Sequence, residues 1–201
     1  MALSMRLLAK RWTKSFDDIA QKLADRFATD AMRNTDVSLG SALKDAGFTV
    51  EFKMTSQMNN ALQATISENV GLIRSIPEKY FTEVEGMVMR SVARGRDLGH
   101  LTDELEKRYG ITRRRAATIA RDQNNKATSV MQAARQKSLG ITEGIWRHSH
   151  AGKEPRKSHV KADGKVFDLD KGMLLDDKWT MPGEEINCRC TWSPIIPGLQ
   201  K

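Results

Sequence analysis

The sequence predicts an α+β protein: a mostly helical N-terminal region, then a small C-terminal module of one long helix, short antiparallel strands and ordered loops. Three observations predict it. Apolar residues recur at three- and four-residue steps from the N-terminus almost to Gly140, the period of a helix. Beyond Gly140 the pattern switches to alternation broken by the turn dipeptides Asp163-Gly164 and Pro182-Gly183. Three of the four His and both Cys fall between Trp146 and Trp192.

The helices follow in order. Residues 5–33 place Trp12, Phe16, Ile19, Leu23, Phe27 and Ala31 on one face. Asn34-Thr35-Asp36 is expected to end that helix, with Asp36 capping a short piece at 37–46 that Gly47 stops. Phe48 to Phe52 alternates and predicts a short strand. Thr55 or Ser56 caps a helix with Met58, Leu62, Ile66, Val70 and Ile73 inward. Ser75-Ile76-Pro77 predicts a restart, because proline suits a first turn. That next helix turns Tyr80, Phe81, Val84, Met87, Val88 and Val92 inward and ends at Gly95. Thr102 opens a short helix that Gly110 closes. His100 falls in the loop before it and is expected to be structural or solvated.

Thr112 caps a basic helix at about 113–138, with Ala116, Ile119, Ala120, Ala127, Val130, Met131 and Ala134 inward. Two domains are expected, a helical docking or assembly region at 1–110 and the module at 111–201. In that module Gly144 to His150 reads as a strand with Trp146, His148 and His150 on one face. A turn follows at 151–155. Lys165-Val166-Phe167 pairs back across Asp163-Gly164 as a hairpin.

Charge is localised. The chain carries +8, and residues 111–140 hold seven Lys or Arg against one Asp, so one helix holds most of the excess. Arg113, Arg114 and Arg115 crowd what is expected to be a helix N-terminus, an unfavourable place for cations. With Arg121 and Lys126 they form a candidate contact for DNA phosphates or an acidic protein surface; a merely solvated face is the alternative. No apolar run is long enough to cross a bilayer, so no membrane partner is expected. Charges interrupt the N-terminal apolar stretch before a signal-peptide core forms, which makes synthesis in the cytoplasm the expectation.

The two Cys stand as C-x-C. A disulfide across one residue is strained and disfavoured in a reducing compartment. Two readings remain. In one, Cys188 and Cys190 supply two sulfurs to a zinc ion, and His159 with His148 or His150 supplies two nitrogens. In the other, His159 bonds a loop carbonyl and the thiols are small buried hydrophobes. Arg156 and Arg189 then pair with Asp163, Asp168 or Glu184.

The order and approximate spacing of Trp146, Pro155-Arg156-Lys157-Ser158-His159, Asp163-Gly164, and Pro182-Gly183 followed by Asn187-Cys188-Arg189-Cys190 resemble the Mu F-like family of tailed-phage minor head proteins, also called phage head morphogenesis proteins. The helix around Ala120 to Asn125 is similar to the one that leads into the family's motif, and the likeness spans residues 112–194. Many members have an acidic residue shortly before the Arg of R-x-x-H; here only Glu154 stands there. The resemblance implies a virion protein inside the head near the portal vertex, acting in head assembly and in DNA packaging or delivery. Its implied partners are the portal oligomer, the major capsid or scaffolding protein, and packaged double-stranded DNA. It also implies a structural motif made by Trp146, Arg156, His159, Asp163, Gly164, Pro182, Gly183, Cys188, Arg189 and Cys190. Two other readings stay open: a zinc-stapled interaction module outside any virion, and a metal-dependent nuclease using the clustered His. For the nuclease, no acidic pair is placed for Mg²⁺ and no nucleophile–base spacing stands out, so an enzyme is not expected.

Overall fold

Three long helices precede the strands in the computed structural model, which describes residues 2–93, 98–151 and 154–198. They are α1 (Ala2–Asp45), α2 (Ser56–Ala93) and α3 (Leu98–Ser138). The module then runs β1 (Glu143–Arg147), α4 (Lys157–Ala162), β2 (Val166–Asp168), β3 (Met173–Leu175), β4 (Lys178–Thr180) and β5 (Thr191–Pro194). The α+β class is as the sequence predicts. The expected helix end at Gly95 lies outside the described residues, as does part of the 151–155 turn. No described helix is long and apolar enough to cross a membrane.

Three expected helix breaks do not occur. At Asn34-Thr35-Asp36 the capping side chains are engaged elsewhere. The Thr35 hydroxyl donates to the Ala31 carbonyl at 2.9 Å, and Asp36 accepts two bonds from Arg135. At Pro77 the ring is buried within α2, and the Ser75 hydroxyl donates to the Leu72 carbonyl at 2.7 Å. At Gly110 and Thr112 the chain stays helical, because one glycine costs a helix only about 1 kcal/mol. Arg113 to Arg115 therefore sit mid-helix, and the helix N-terminus does not oppose them. His100 lies in the first turn of α3 rather than in a loop, 3.8 Å from Glu104. The strand expected at 48–52 is absent. That segment instead offers the Phe52 ring and the Lys53 carbonyl to the Arg135 guanidinium.

The expected stops at Gly47 and Gly140 are real. In each the chain turns left-handed, and N–H groups at and just after the glycine reach back to the last helical carbonyls. The Thr55 hydroxyl accepts from the Met58 N–H at 3.2 Å, capping α2.

The chain forms two compact units. The first joins residues 1–26 to 66–120. Ala20, Ala24, Ile66 and Val84 are buried there, and Arg74 meets Asp17 at 3.0 Å. Burial on α1 follows Ala20, Ala24, Ala28, Ala31 and Leu39, not the large side chains of the expected face, since Trp12, Ile19 and Leu23 are exposed. Small side chains let backbones approach closely, and that selects the alanine stripe.

The second unit joins residues 27–65 to 121–201. Met58, Met131 and Ala134 form one cluster, with Met32, Ala61 and Leu62 against it. The larger core is Ile141, Trp146, Ala162, Phe167, Leu169, Cys188, Cys190 and Trp192. It covers a three-stranded antiparallel sheet in the order β2-β1-β5. Trp146 and Trp192 face each other across β1 and β5. Gly144 is set by that pairing: a Cβ there would lie 2.5 Å from Trp192 Cδ1.

The hairpin expected across Asp163-Gly164 is not formed. Those residues close α4, and β2 returns to β1 by a longer path. The hairpin lies instead between β3 and β4, where Asp176 and Asp177 both take positive φ, as a two-residue turn of primed type requires.

Candidate functional site

The site is built where α4, the loop before β5 and the end of β1 converge in the second unit. Cys188 and Cys190 flank the exposed Arg189 on extended chain, so both sulfurs turn inward while Arg189 faces out. They are free thiols, and both are buried. His159 enters from α4 and is 3% exposed. Its Nδ1 lies 3.4 Å from Cys188 Sγ and 3.7 Å from Cys190 Sγ. Its Nε2 lies 3.4 Å from the Glu185 carboxylate. Trp146 packs edge-on against the imidazole at 5.4 Å, and its own buried Nε1 has no hydrogen-bond partner.

Helix α3 holds the cysteine loop from behind. Asp122 accepts from the Asn187 N–H at 2.7 Å, which fixes Asn187 in its left-handed conformation. Asn125 donates to the Cys188 carbonyl at 2.8 Å. Gly183 fits because a Cβ there would lie 3.2 Å from the Asn125 carbonyl. Farther along, Gln136 accepts from the Trp192 indole at 2.8 Å, and Gln132 donates to the Trp192 carbonyl.

The two thiols share their protons unequally. The Cys188 thiol is lowered, first because the Cys190 thiol donates to it and then through N–H groups of Cys190 and Gly183. Cys190 is pushed up, first by that same donation and then by burial.

The other two imidazoles are elsewhere. The strand stops at Arg147, because Asp163 accepts the His148 N–H at 2.9 Å and His150 takes a φ of 51°. His148 and His150 therefore do not continue the Trp146 face. They stack edge-on at 4.7 Å, and His150 Nε2 reaches the other Asp163 oxygen at 3.1 Å. The Asp163 carboxyl is held below its ordinary value, first by the His148 N–H and then by His150. The Gly164 N–H donates to the Trp146 carbonyl at 2.9 Å, tying this corner to the sheet.

Of the residues expected to meet at a metal, the structure gathers His159, Cys188 and Cys190, whose ligand atoms all lie within 4.8 Å of one another. The expected ion pairs are redistributed. Arg156 meets Glu185 at 3.2 Å and donates to the Ile186 carbonyl. Asp168 instead accepts the N–H groups of Asp170 and Lys171, and Glu184 accepts that of Met181. His159 faces sulfur and carboxylate, not a loop carbonyl. Glu185 joins the cluster unexpectedly; its one signal in the sequence is an acidic residue three positions before Cys188. Beside the thiols opens a cleft of about 450 Å³, walled by His148, Glu154, Arg156, His159 and the Asn187–Cys190 segment.

The basic residues on α3 divide between the units. Arg113, Arg114 and Arg115 are exposed in the first. In the second, Arg121 is exposed and Lys126 is half-buried, 3.5 Å from Asp122.

The second unit is thus a small module of short antiparallel strands, closed on a buried thiol–imidazole cluster and braced by one long helix. The chain belongs to the Phage Mu protein F like family of phage head morphogenesis proteins, whose model matches residues 82–193. A protein of Haemophilus influenzae described only as uncharacterized is 28% identical over 196 residues. That alignment covers 96% of this chain and 43% of the relative, so the chain spans less than half the relative's length. No solved structure matches.

Proposed function

We propose that the chain is a minor head protein of a tailed phage, seated at the portal vertex inside the head and acting in head assembly and in DNA packaging or delivery. The observation that carries this reading is the family match over residues 82–193. Two features support its finer parts. Leu8, Trp12, Ile19 and Leu23 recur at helical spacing on α1 and are all exposed, an apolar seam suited to a portal or capsid subunit. Arg113, Arg114 and Arg115 extend into solvent mid-helix, with Arg121 and Lys126 as further phosphate contacts.

The protein is expected to bind duplex DNA weakly and without sequence preference, with affinity falling steeply as salt rises. Replacing Arg113, Arg114 and Arg115 by Gln is expected to flatten the salt dependence. Binding that does not change between low and high salt removes the DNA contact. Recovery of the protein from purified heads without a portal oligomer removes the portal position.

The cleft supports one second reading, a metal-dependent nuclease, because two imidazoles, Glu154 and Arg156 share its wall. Plasmid incubated with the protein and Mg²⁺, Mn²⁺ or Zn²⁺ separates the two. The nuclease reading predicts cleavage and the assembly reading predicts intact DNA.

A further inference from the structure

We propose that His159, Cys188 and Cys190 are three protein ligands of a zinc ion, with Glu185 orienting the imidazole from outside and the fourth position open to the neighbouring cleft.

Zinc holds thiolate sulfur at about 2.3 Å and imidazole nitrogen at about 2.0–2.1 Å, so a tetrahedral site sets sulfur and nitrogen about 3.6 Å apart. His159 Nδ1 stands 3.4 Å from one sulfur and 3.7 Å from the other, values that bracket that separation. The two sulfurs fall within the 4.8 Å that bounds all three ligand atoms.

The imidazole is also set up as a ligand on its far side. A metal-binding His commonly gives its second ring N–H to a carboxylate, which fixes tautomer and orientation. The Glu185 carboxylate stands 3.4 Å from His159 Nε2 and is itself held by Arg156. With the ring proton on Nε2, Nδ1 turns one lone pair toward two sulfurs. A thiol hydrogen bond to that lone pair engages one sulfur at a time, whereas a metal ion engages all three atoms at once. The donor set is soft, which selects zinc over Mg²⁺ or Ca²⁺.

The surroundings supply rigidity. The ligands come from α4 and from a loop bonded to α3 through Asp122 and Asn125. Trp146 closes one side of the imidazole. All three ligand residues also line the cleft of about 450 Å³, so the remaining coordination position is reached by solvent. His148 and His150 are excluded, because they are engaged with each other and with Asp163.

The test uses the full chain, stripped with a chelator and titrated with Zn²⁺ or Co²⁺. Uptake of one ion per chain is expected, with the intense sulfur-to-cobalt charge-transfer absorption of a thiolate site. In the unmutated protein, Zn²⁺ is expected to protect both thiols from alkylation, a reading that needs no variant to fold. Metal binding is expected to be lost in Cys188→Ser, Cys190→Ser and His159→Gln, weakened about 10-fold in Glu185→Gln, and unchanged in His148→Ala and His150→Ala. Substoichiometric uptake, equal alkylation with and without Zn²⁺, or loss of binding in the His148 or His150 variants overturns the assignment.

Discussion

Arg135 and Asp36 meet in a two-pronged ion pair, Nε to Oδ1 at 2.6 Å and Nη2 to Oδ2 at 2.8 Å, across 99 residues of sequence. The guanidinium is 3% exposed. Its remaining contacts are the Lys53 carbonyl at 2.6 Å and the Phe52 ring, with Cζ 4.9 Å from the ring centroid. One side chain of α3 therefore holds both α1 and the α1–α2 connection. Removing one partner of a buried pair strands the other charge and costs about 3–5 kcal/mol. Asp36→Ala is expected to lose stability near the lower end, since the Lys53 carbonyl still accepts. Arg135→Met combined with Asp36→Ala is expected to recover part of that loss. Denaturant unfolding of Asp36→Ala, Arg135→Met and the double variant measures the coupling, and fully additive losses would show that the bridge contributes nothing.

Gly144 admits no side chain. An added Cβ meets Trp192 Cδ1 at 2.5 Å, Trp192 Cγ at 3.2 Å and Phe167 Cε1 at 3.3 Å. The indole cannot retreat without breaking its bond to Gln136. Gly144→Ala is expected to destabilise the module by about 1–3 kcal/mol, the usual cost of overpacking. Trp192→Leu should relieve part of the clash, so the double variant is expected to lose less than the sum of the single changes.

Asp163 supplies an acid-side signature. Its folded-state carboxyl lies below the ordinary 3.8 because the His148 N–H and the His150 ring favour the ionised form. A depressed carboxylate adds stability that is complete above its unfolded value and is lost as pH falls through the folded one. Part of the fall in thermal midpoint below about pH 4 should therefore disappear in Asp163→Asn. Identical acid limbs for wild type and variant would remove this carboxylate as a contributor.

How far these relationships were legible follows from where each partner lies. The long helices were visible because burial repeats locally, and Gly47 and Gly140 marked true ends because a left-handed residue stops a helix wherever it stands. The false break at Asn34-Thr35-Asp36 arose because Asp36 looks like a cap until Arg135 is brought to it. The outward turn of Trp12, Ile19 and Leu23 was illegible for a related reason. Periodicity finds an apolar face, but the close approach of helices chose the alanine stripe one position away. In the module, the His and Cys residue types marked the place. The selection of His159 over His148 and His150 required knowing that β1 stops at Arg147 and that Asp163 captures His148 and His150. The β3–β4 turn carries Asp-Asp where Asp-Gly is the stronger signal, so the hairpin was placed at the wrong dipeptide.

The seam on α1 makes the last prediction, and it tests the assembly reading directly. Leu8, Trp12, Ile19 and Leu23 are 46%, 51%, 44% and 47% exposed, while Ala20 and Ala24 on the same helix are fully buried. The alanines therefore serve the fold, and the large side chains are exposed where the proposed assembly contact would use them. Exposed positions of this kind usually change stability by no more than about 0.5 kcal/mol. Trp12→Glu with Leu23→Glu is expected to leave the unfolding midpoint close to that of wild type. The charges are nevertheless expected to keep the protein out of assembled heads, because a carboxylate buried in an apolar interface has no compensating partner. Quantifying the protein in purified particles against its total expression decides the matter. Incorporation of the double variant at the wild-type level would show that assembly uses another surface, whereas a loss of folding would place these side chains in the core after all.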